Sequence, residues 1–202
     1  ISTFGQEDII EAKLKECINE KINYHIQEKY GKDPFDFYEF ILKVEFEFQQ
    51  NGVLNDLSKK SYSSLLDEIT KRKKRKFKRV FQKQSLLIDS YGFDSFSTEN
   101  IFNQCPYRVS VDFKESDGKL IYDQASILYR IMKVEYYDEK LLKELFSLVD
   151  EKSFSKIIYR APIIVLVMIN LDYKYNREFI KRRRQLRGKP IFGNQTNQKN
   201  KK

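Results

Sequence analysis

The chain has 202 residues, and its 41% hydrophobic and 14% aromatic content suffices for one buried core and excludes a disordered chain. Seven Gly and four Pro argue against a loop-rich β-sandwich, and 33% charged residues suggest long solvated helical faces. The formal charge of +9 is carried entirely by 181–202, which holds nine Lys/Arg and no acid, while 29 bases balance 29 acids in the rest of the chain. Such local charge density draws a protein to a polyanion.

From the N-terminus, 7–30 reads as a helix, because Ile10, Leu14, Cys17, Ile18, Ile22 and Ile26 recur on one face and Gly31 is a stop signal. His25, the one histidine, lies beside that face as a packed or rim residue. Asp33-Pro34 reads as an N-cap and first helical position for a helix over 34–45 that buries Phe37, Phe40, Ile41 and Val44. Asn51-Gly52 marks a turn. The longest candidate helix covers 61–90. Its stripe runs Tyr62, Leu65, Leu66, Ile69, Phe77, Val80, Phe81, Leu86 and Leu87, with a basic run interrupting it. The acidic pairs Glu45/Glu47 and Asp67/Glu68 have the spacing of ordinary surface charges. Gly92 ends this helix, and Ser97 caps a short one through Phe102.

Tyr107, Val109, Val111 and Phe113 alternate with polar residues, and Asp117-Gly118 follows, so a short β excursion is expected over 107–120. Helical patterning resumes over 122–134. Asp138 caps a further helix with Leu141, Leu142, Leu145, Phe146 and Val149. Pro162 opens the most apolar segment, 163–171, whose β-branched content also suits a buried strand. The apolar run 161–169 falls short of the roughly 20 residues that a membrane span needs. Asn176 caps a last helix through Leu186, and Gly188-Lys189-Pro190 ends it. The expected fold is mainly α, with stacked helical hairpins in an α-solenoid-like arrangement over 1–180 and a basic C-terminal tail over 181–202.

Cys17 and Cys105 fit no metal or redox spacing and read as free thiols in a reducing compartment. The start at Ile1 fits removal of a targeting presequence and equally a trimmed chain.

Four segments share an apolar helix end, an acidic or small residue, an aromatic and then a break. They begin at Ile41, Ile88, Ile131 and Met168. Ile41-Leu42-Lys43-Val44-Glu45-Phe46 and Ile131-Met132-Lys133-Val134-Glu135-Tyr136 are the nearest pair. Repeats at such spacing mean hairpins that must stack to bury their faces; chance matches in an Ile/Lys-rich chain are the plain alternative. The stretch 126–142, Ser-Ile-Leu-Tyr-Arg-Ile-Met-Lys-Val-Glu-Tyr-Tyr-Asp-Glu-Lys-Leu-Leu, resembles the helical repeats preceding the RAP domain in organellar RNA-binding proteins, the FAST-kinase-like and octotricopeptide or heptatricopeptide groups. The resemblance covers 122–180. It implies an all-helical fold and either organellar RNA binding or a place in an organellar ribosome. The RAP domain itself has no counterpart, so no hydrolytic role is carried over, and no base-reading position can be matched.

Two clusters are the candidate RNA-binding residues. The first is Lys71, Arg72, Lys73, Lys74, Arg75, Lys76, Lys78 and Arg79, whose charges would point in every direction on a helix and repel one another without an anion. The second is Lys181, Arg182, Arg183, Arg184, Arg187 and Lys189, where arginine suits bidentate phosphate contact or stacking on bases. The first cluster also reads as a nuclear import signal or a solvated helix, and the second as a solubilising extension. No Gly-rich phosphate loop, nucleophile elbow or zinc-protease motif is present. The expectation is a non-catalytic protein without cofactor or metal. It would be a structural RNA-binding component of a ribonucleoprotein, most concretely a mitochondrial ribosome subunit whose tail contacts rRNA beside neighbouring proteins. The alternatives are an accessory subunit of another large assembly, such as a respiratory complex, and a nuclear DNA- or chromatin-associated adaptor.

Overall fold

The computed structural model of the chain describes residues 3–71, 75–91, 101–112, 117–134 and 137–176. Among them the chain forms nine helices and no strand: α1 (Thr3–Tyr30), α2 (Phe37–Gln50), α3 (Lys59–Lys71), α4 (Arg75–Tyr91), α5 (Ile101–Asp112), α6 (Asp117–Lys133), α7 (Glu139–Leu148), α8 (Glu151–Phe154) and α9 (Ile157–Tyr175).

The centre is α9. Every residue from Ile158 to Asp172 is buried, as expected of a helix that is apolar on all sides. Helices α1, α2, α3, α4, α6 and α8 all pack on it. Among the described residues no helix is long and apolar enough to cross a membrane. Pro162 lies inside α9, which starts five residues earlier at Ile157. A proline in a helix removes one backbone donor and crowds the carbonyl four residues back. Pro162 and Pro106 of α5 border a cavity of about 10 Å³, and Gln124 of α6, which also borders it, donates from Nε2 to the Tyr159 carbonyl at 2.9 Å.

Around α9, α1 buries the face seen in the sequence, Ile10, Leu14, Cys17, Ile18, Ile22 and Ile26. Gly31 ends it with φ 59°, a left-handed conformation that glycine adopts without strain. The cap of α2 is Asp36 rather than Asp33. Its Oδ1 accepts from the Tyr38 and Glu39 amides at 2.7 and 3.1 Å. Asp33-Pro34 belongs instead to the connection, which two asparagines of α1 hold. Asn23 exchanges two 2.9 Å bonds with the Phe35 backbone, and Asn19 accepts from the Phe37 amide at 2.8 Å. Helix α2 runs past the expected end at 45 and closes at Asn51-Gly52. There the Val53 amide reaches the Phe48 carbonyl, the Gly52 amide reaches Gln49, and Gly52 has φ 63°. This is the Schellman pattern that satisfies the last carbonyls.

The expected β excursion over 107–120 is replaced by helix, since α5 holds 101–112 and α6 begins at Asp117. Ile101, Phe102, Cys105 and Val109 are buried at helical spacing, whereas Tyr107 and Val111 are exposed. The alternation was therefore two faces of a helix sampled over a short window. The two cysteines are not free thiols: Cys17 of α1 and Cys105 of α5 form a disulfide with Cα atoms 5.8 Å apart. Their spacing of 88 residues hid the pair, because helix packing and not sequence proximity brings them together. Asp138 caps α7 as expected, accepting from the Leu141 amide at 2.8 Å. Asn176 closes α9, its amide donating to the Asp172 carbonyl; the last expected helix and the basic tail lie outside the described residues.

The single helix expected over 61–90 is described as α3 and α4 on either side of 72–74. Lys174 of α9 donates to the carbonyls of Ile69 and Thr70 at the end of α3, where a cation complements the helix dipole. The recurring segments do not occupy equivalent places. Val44 is buried in mid-α2, whereas Val134 lies just beyond α6 and is half exposed.

Candidate nucleic-acid interface

Helix α4 sorts its residues by side. Phe77, Val80 and Gln84 are buried, Phe81, Leu87, Ile88 and Tyr91 are partly buried against the core, and Arg75, Lys78 and Arg79 are exposed. Residues at i, i+3 and i+4 share one face of a helix, so these three cations form one outward patch. The expectation that the cluster's charges point in every direction is thus corrected for α4. The helix is amphipathic, and its apolar positions are spoken for by α2 and α9.

The cations of the first cluster divide into two groups. Lys71 is engaged at 2.5 Å with Asp67, one turn back, and this hydrogen bond raises its pKa. Lys76 folds onto the body. Its Nζ donates to the Gly52 carbonyl at 3.2 Å, lies 3.5 Å from Glu68 and sits 5.2 Å from the Phe77 ring centre. Arg75, Lys78 and Arg79 make no ion pair with any described residue. Arg72, Lys73 and Lys74 lie outside the described residues, as do Lys181, Arg182, Arg183, Arg184, Arg187 and Lys189.

Near the patch, two other surface lysines are engaged. Lys83 lies 3.3 Å from Glu47 on α2, and Lys43 of α2 donates to the Tyr91 hydroxyl at 2.7 Å. Further off, Arg130 makes a two-pronged pair with Glu144 at 2.9 and 3.2 Å. Beside these pairs, Arg75, Lys78 and Arg79 present three neighbouring cations with no carboxylate partner among the described residues.

Glu45, expected on the surface, is buried. Arg160 of α9 meets it with Nε to Oε1 at 2.8 Å and Nη2 to Oε2 at 3.3 Å, both side chains being about 95% or more buried. Tyr62 of α3 donates its hydroxyl to Oε1, and the second Arg160 terminal nitrogen donates to the carbonyls of Phe154 and Ser155. Burial works against the Arg160 charge, but the hydrogen bonds and charge of Glu45 outweigh it and hold the pKa above the ordinary arginine value. Burial, and then the Glu45 charge, push the Tyr62 phenol far up. Both carboxylate oxygens are taken by protein donors, so this network joins α2, α3, α8 and α9. No sequence motif marks it. The one available signal was Arg160 at the edge of an apolar run too long to leave it exposed.

A second surface was also missed. Tyr107 of α5 and Tyr122 and Tyr129 of α6 are exposed around one groove with Gln104 and Ser126. Among the described residues, no group of three or more His, Cys, Asp or Glu side chains is arranged to hold a metal ion.

Compared with known proteins, the chain matches no family model, no curated protein and no solved structure.

Proposed function

We propose that the protein is a structural RNA-binding component of a ribonucleoprotein, with a mitochondrial ribosome its most concrete setting, and that it carries no catalytic role. The observation that supports this reading is the contrast on the surface. Arg75, Lys78 and Arg79 share one face of α4 and have no carboxylate partner among the described residues, while nearby Lys71, Lys76 and Lys83 are paired. Unpaired surface cations gain little from folding and become useful when they displace counterions from a phosphate backbone. The stretch 181–202, nine bases and no acid, supplies more of the same charge. In this reading the neutral helical body packs on neighbouring proteins, and its helices stack as consecutive hairpins.

The test is the salt dependence of binding to single-stranded RNA. Replacing Arg75, Lys78 and Arg79 by glutamine should lower the log–log slope by about 2, at ~0.7 per phosphate. Deleting 181–202 should lower it further. A wild-type chain that fails to bind RNA at low salt, or binds with an unchanged slope after both changes, overturns the reading.

One observation favours a second reading, an accessory protein–protein subunit assembled in an oxidising compartment: the Cys17–Cys105 disulfide, a bond that reducing compartments disfavour. Partners that remain bound after RNase treatment would select it.

A further inference from the structure

We propose that the groove between α5 and α6 is a base-stacking site for single-stranded RNA, a proposal that rests on the RNA-binding reading and gives it a second contact surface. The groove encloses about 380 Å³ and is lined by Gln104, Tyr107, Tyr122, Ser126 and Tyr129. On α6, Tyr122, Ser126 and Tyr129 are spaced i, i+4 and i+7, so they occupy one face. On α5, Gln104 and Tyr107 are spaced i and i+3 and meet them from the other side. The Tyr107 and Tyr122 ring centres lie 6.2 Å apart with their planes tilted by 52°.

These rings stand outside the core. Cys105 and Val109 of α5 and Ile121, Ala125 and Leu128 of α6 face the core, whereas Tyr107, Tyr122 and Tyr129 are 59%, 42% and 39% exposed. Three partly exposed aromatic rings around one concavity are the kind of surface an unpaired base stacks on, with little regard for its identity.

The rest of the lining points to RNA over an apolar protein helix. Among the described residues, every lining side chain ends in a hydroxyl or a carboxamide, none is aliphatic and none is acidic. Amides and hydroxyls can pair with base edges. The rim is cationic: Lys133 places its ammonium 4.9 Å from the Tyr129 ring centre, and Arg108 is exposed beside Tyr107. The nearest acid on α6, Asp123, is neutralised by Lys119 at 3.4 Å. Phosphates flanking a stacked base would therefore meet positive charge.

The experiment uses the full chain and a fluorescein-labelled single-stranded oligouridylate, read by anisotropy across a salt series. Replacing Tyr122 or Tyr129 by alanine should weaken binding roughly 5- to 150-fold per ring and leave the salt slope unchanged. Tyr122→Phe should retain binding, because stacking needs the ring and not the hydroxyl. Ultraviolet crosslinking of the oligomer should map to the peptide containing Tyr122 and Tyr129. Far-ultraviolet circular dichroism of the alanine variants checks that they remain folded. If the alanine variants bind as wild type while charge removal on α4 still weakens binding, the groove is not a base site and the RNA reading stands. If wild type does not bind the oligomer at any salt, both fall. If the tyrosines affect capture of a protein partner and not RNA affinity, the groove is a protein-docking surface and the proposal is overturned.

Discussion

Arg160 and Arg79 carry the same guanidinium and sit in opposite surroundings. Arg160 is buried beside Glu45 with partners on every side, whereas Arg79 stands on the open face of α4 with none among the described residues. A buried charge is tolerated only when its partner is in place, so the Arg160 region is defined by the fold. An exposed, unpaired charge costs the fold almost nothing, so the Arg79 region is free to serve a partner. The fold therefore depends on Arg160 and its partners and not on Arg79.

The largest effect should come from breaking the buried pair. Arg160→Met alone leaves Glu45 buried and uncompensated and should cost about 3–5 kcal/mol in denaturant unfolding. Adding Glu45→Leu should recover much of that loss, since an apolar pair of similar volume removes the desolvation burden. A single variant as stable as wild type would dissolve the contrast between the two arginines.

Next is the clip between α1 and α5. Cys17→Ser, or reduction of the intact chain, should lower stability by about 2–4 kcal/mol, because the bond closes a long loop in the unfolded chain. Two free thiols titrated on the native, unreduced protein would show that the pair is not joined.

Smaller effects belong to caps. Asp138→Ala should cost about 1 kcal/mol by leaving the Leu141 amide without its acceptor. Asp56 receives hydrogen bonds from the Ser58 and Ser61 hydroxyls and the Ser58 amide, which lower its pKa from 3.8 to about 2. The sign follows from linkage. Its contribution is fully present above the unfolded value and is lost as pH falls through the folded one. The stability difference between wild type and Asp56→Asn should therefore be constant above about pH 5 and shrink toward pH 2. A difference that grows on acidification would reverse the assignment.

The smallest effect sharpens the comparison from the other side. Replacing Arg75, Lys78 and Arg79 together by glutamine should change stability by no more than about 0.5 kcal/mol per site. A large loss of stability would mean that these residues serve the fold after all.

Much of this was legible in the chain. The apolar face of α1, the core positions of α2 and α3, the Asp138 cap and the stop signals at Gly31 and Gly52 are local patterns that reach no further than a few turns. The errors came where local signals are degenerate. Period two and period 3.6 overlap across 107–113, so α5 was taken for a strand. Asp33-Pro34 and Asp36 compete for one cap, and Asn19 and Asn23 on α1 hold the connection that leaves Asp36 in place. The candidate interface was half legible. Charge density named the basic run, but the separation of Lys71 and Lys76 from Arg75, Lys78 and Arg79 depends on carboxylates and carbonyls folded up beside them.

Residue order was thus enough to establish a mainly helical protein with its most apolar segment at 163–171 and strongly basic segments, because helix formation, capping and charge density are short-range properties. Four pairings required the tertiary structure: Cys17 with Cys105, Glu45 with Arg160, the tyrosines of α5 with those of α6, and Lys174 with the end of α3. Each joins positions far apart along the chain or on separate helices. Their encounter depends on how helix faces pack, and no local pattern encodes that geometry.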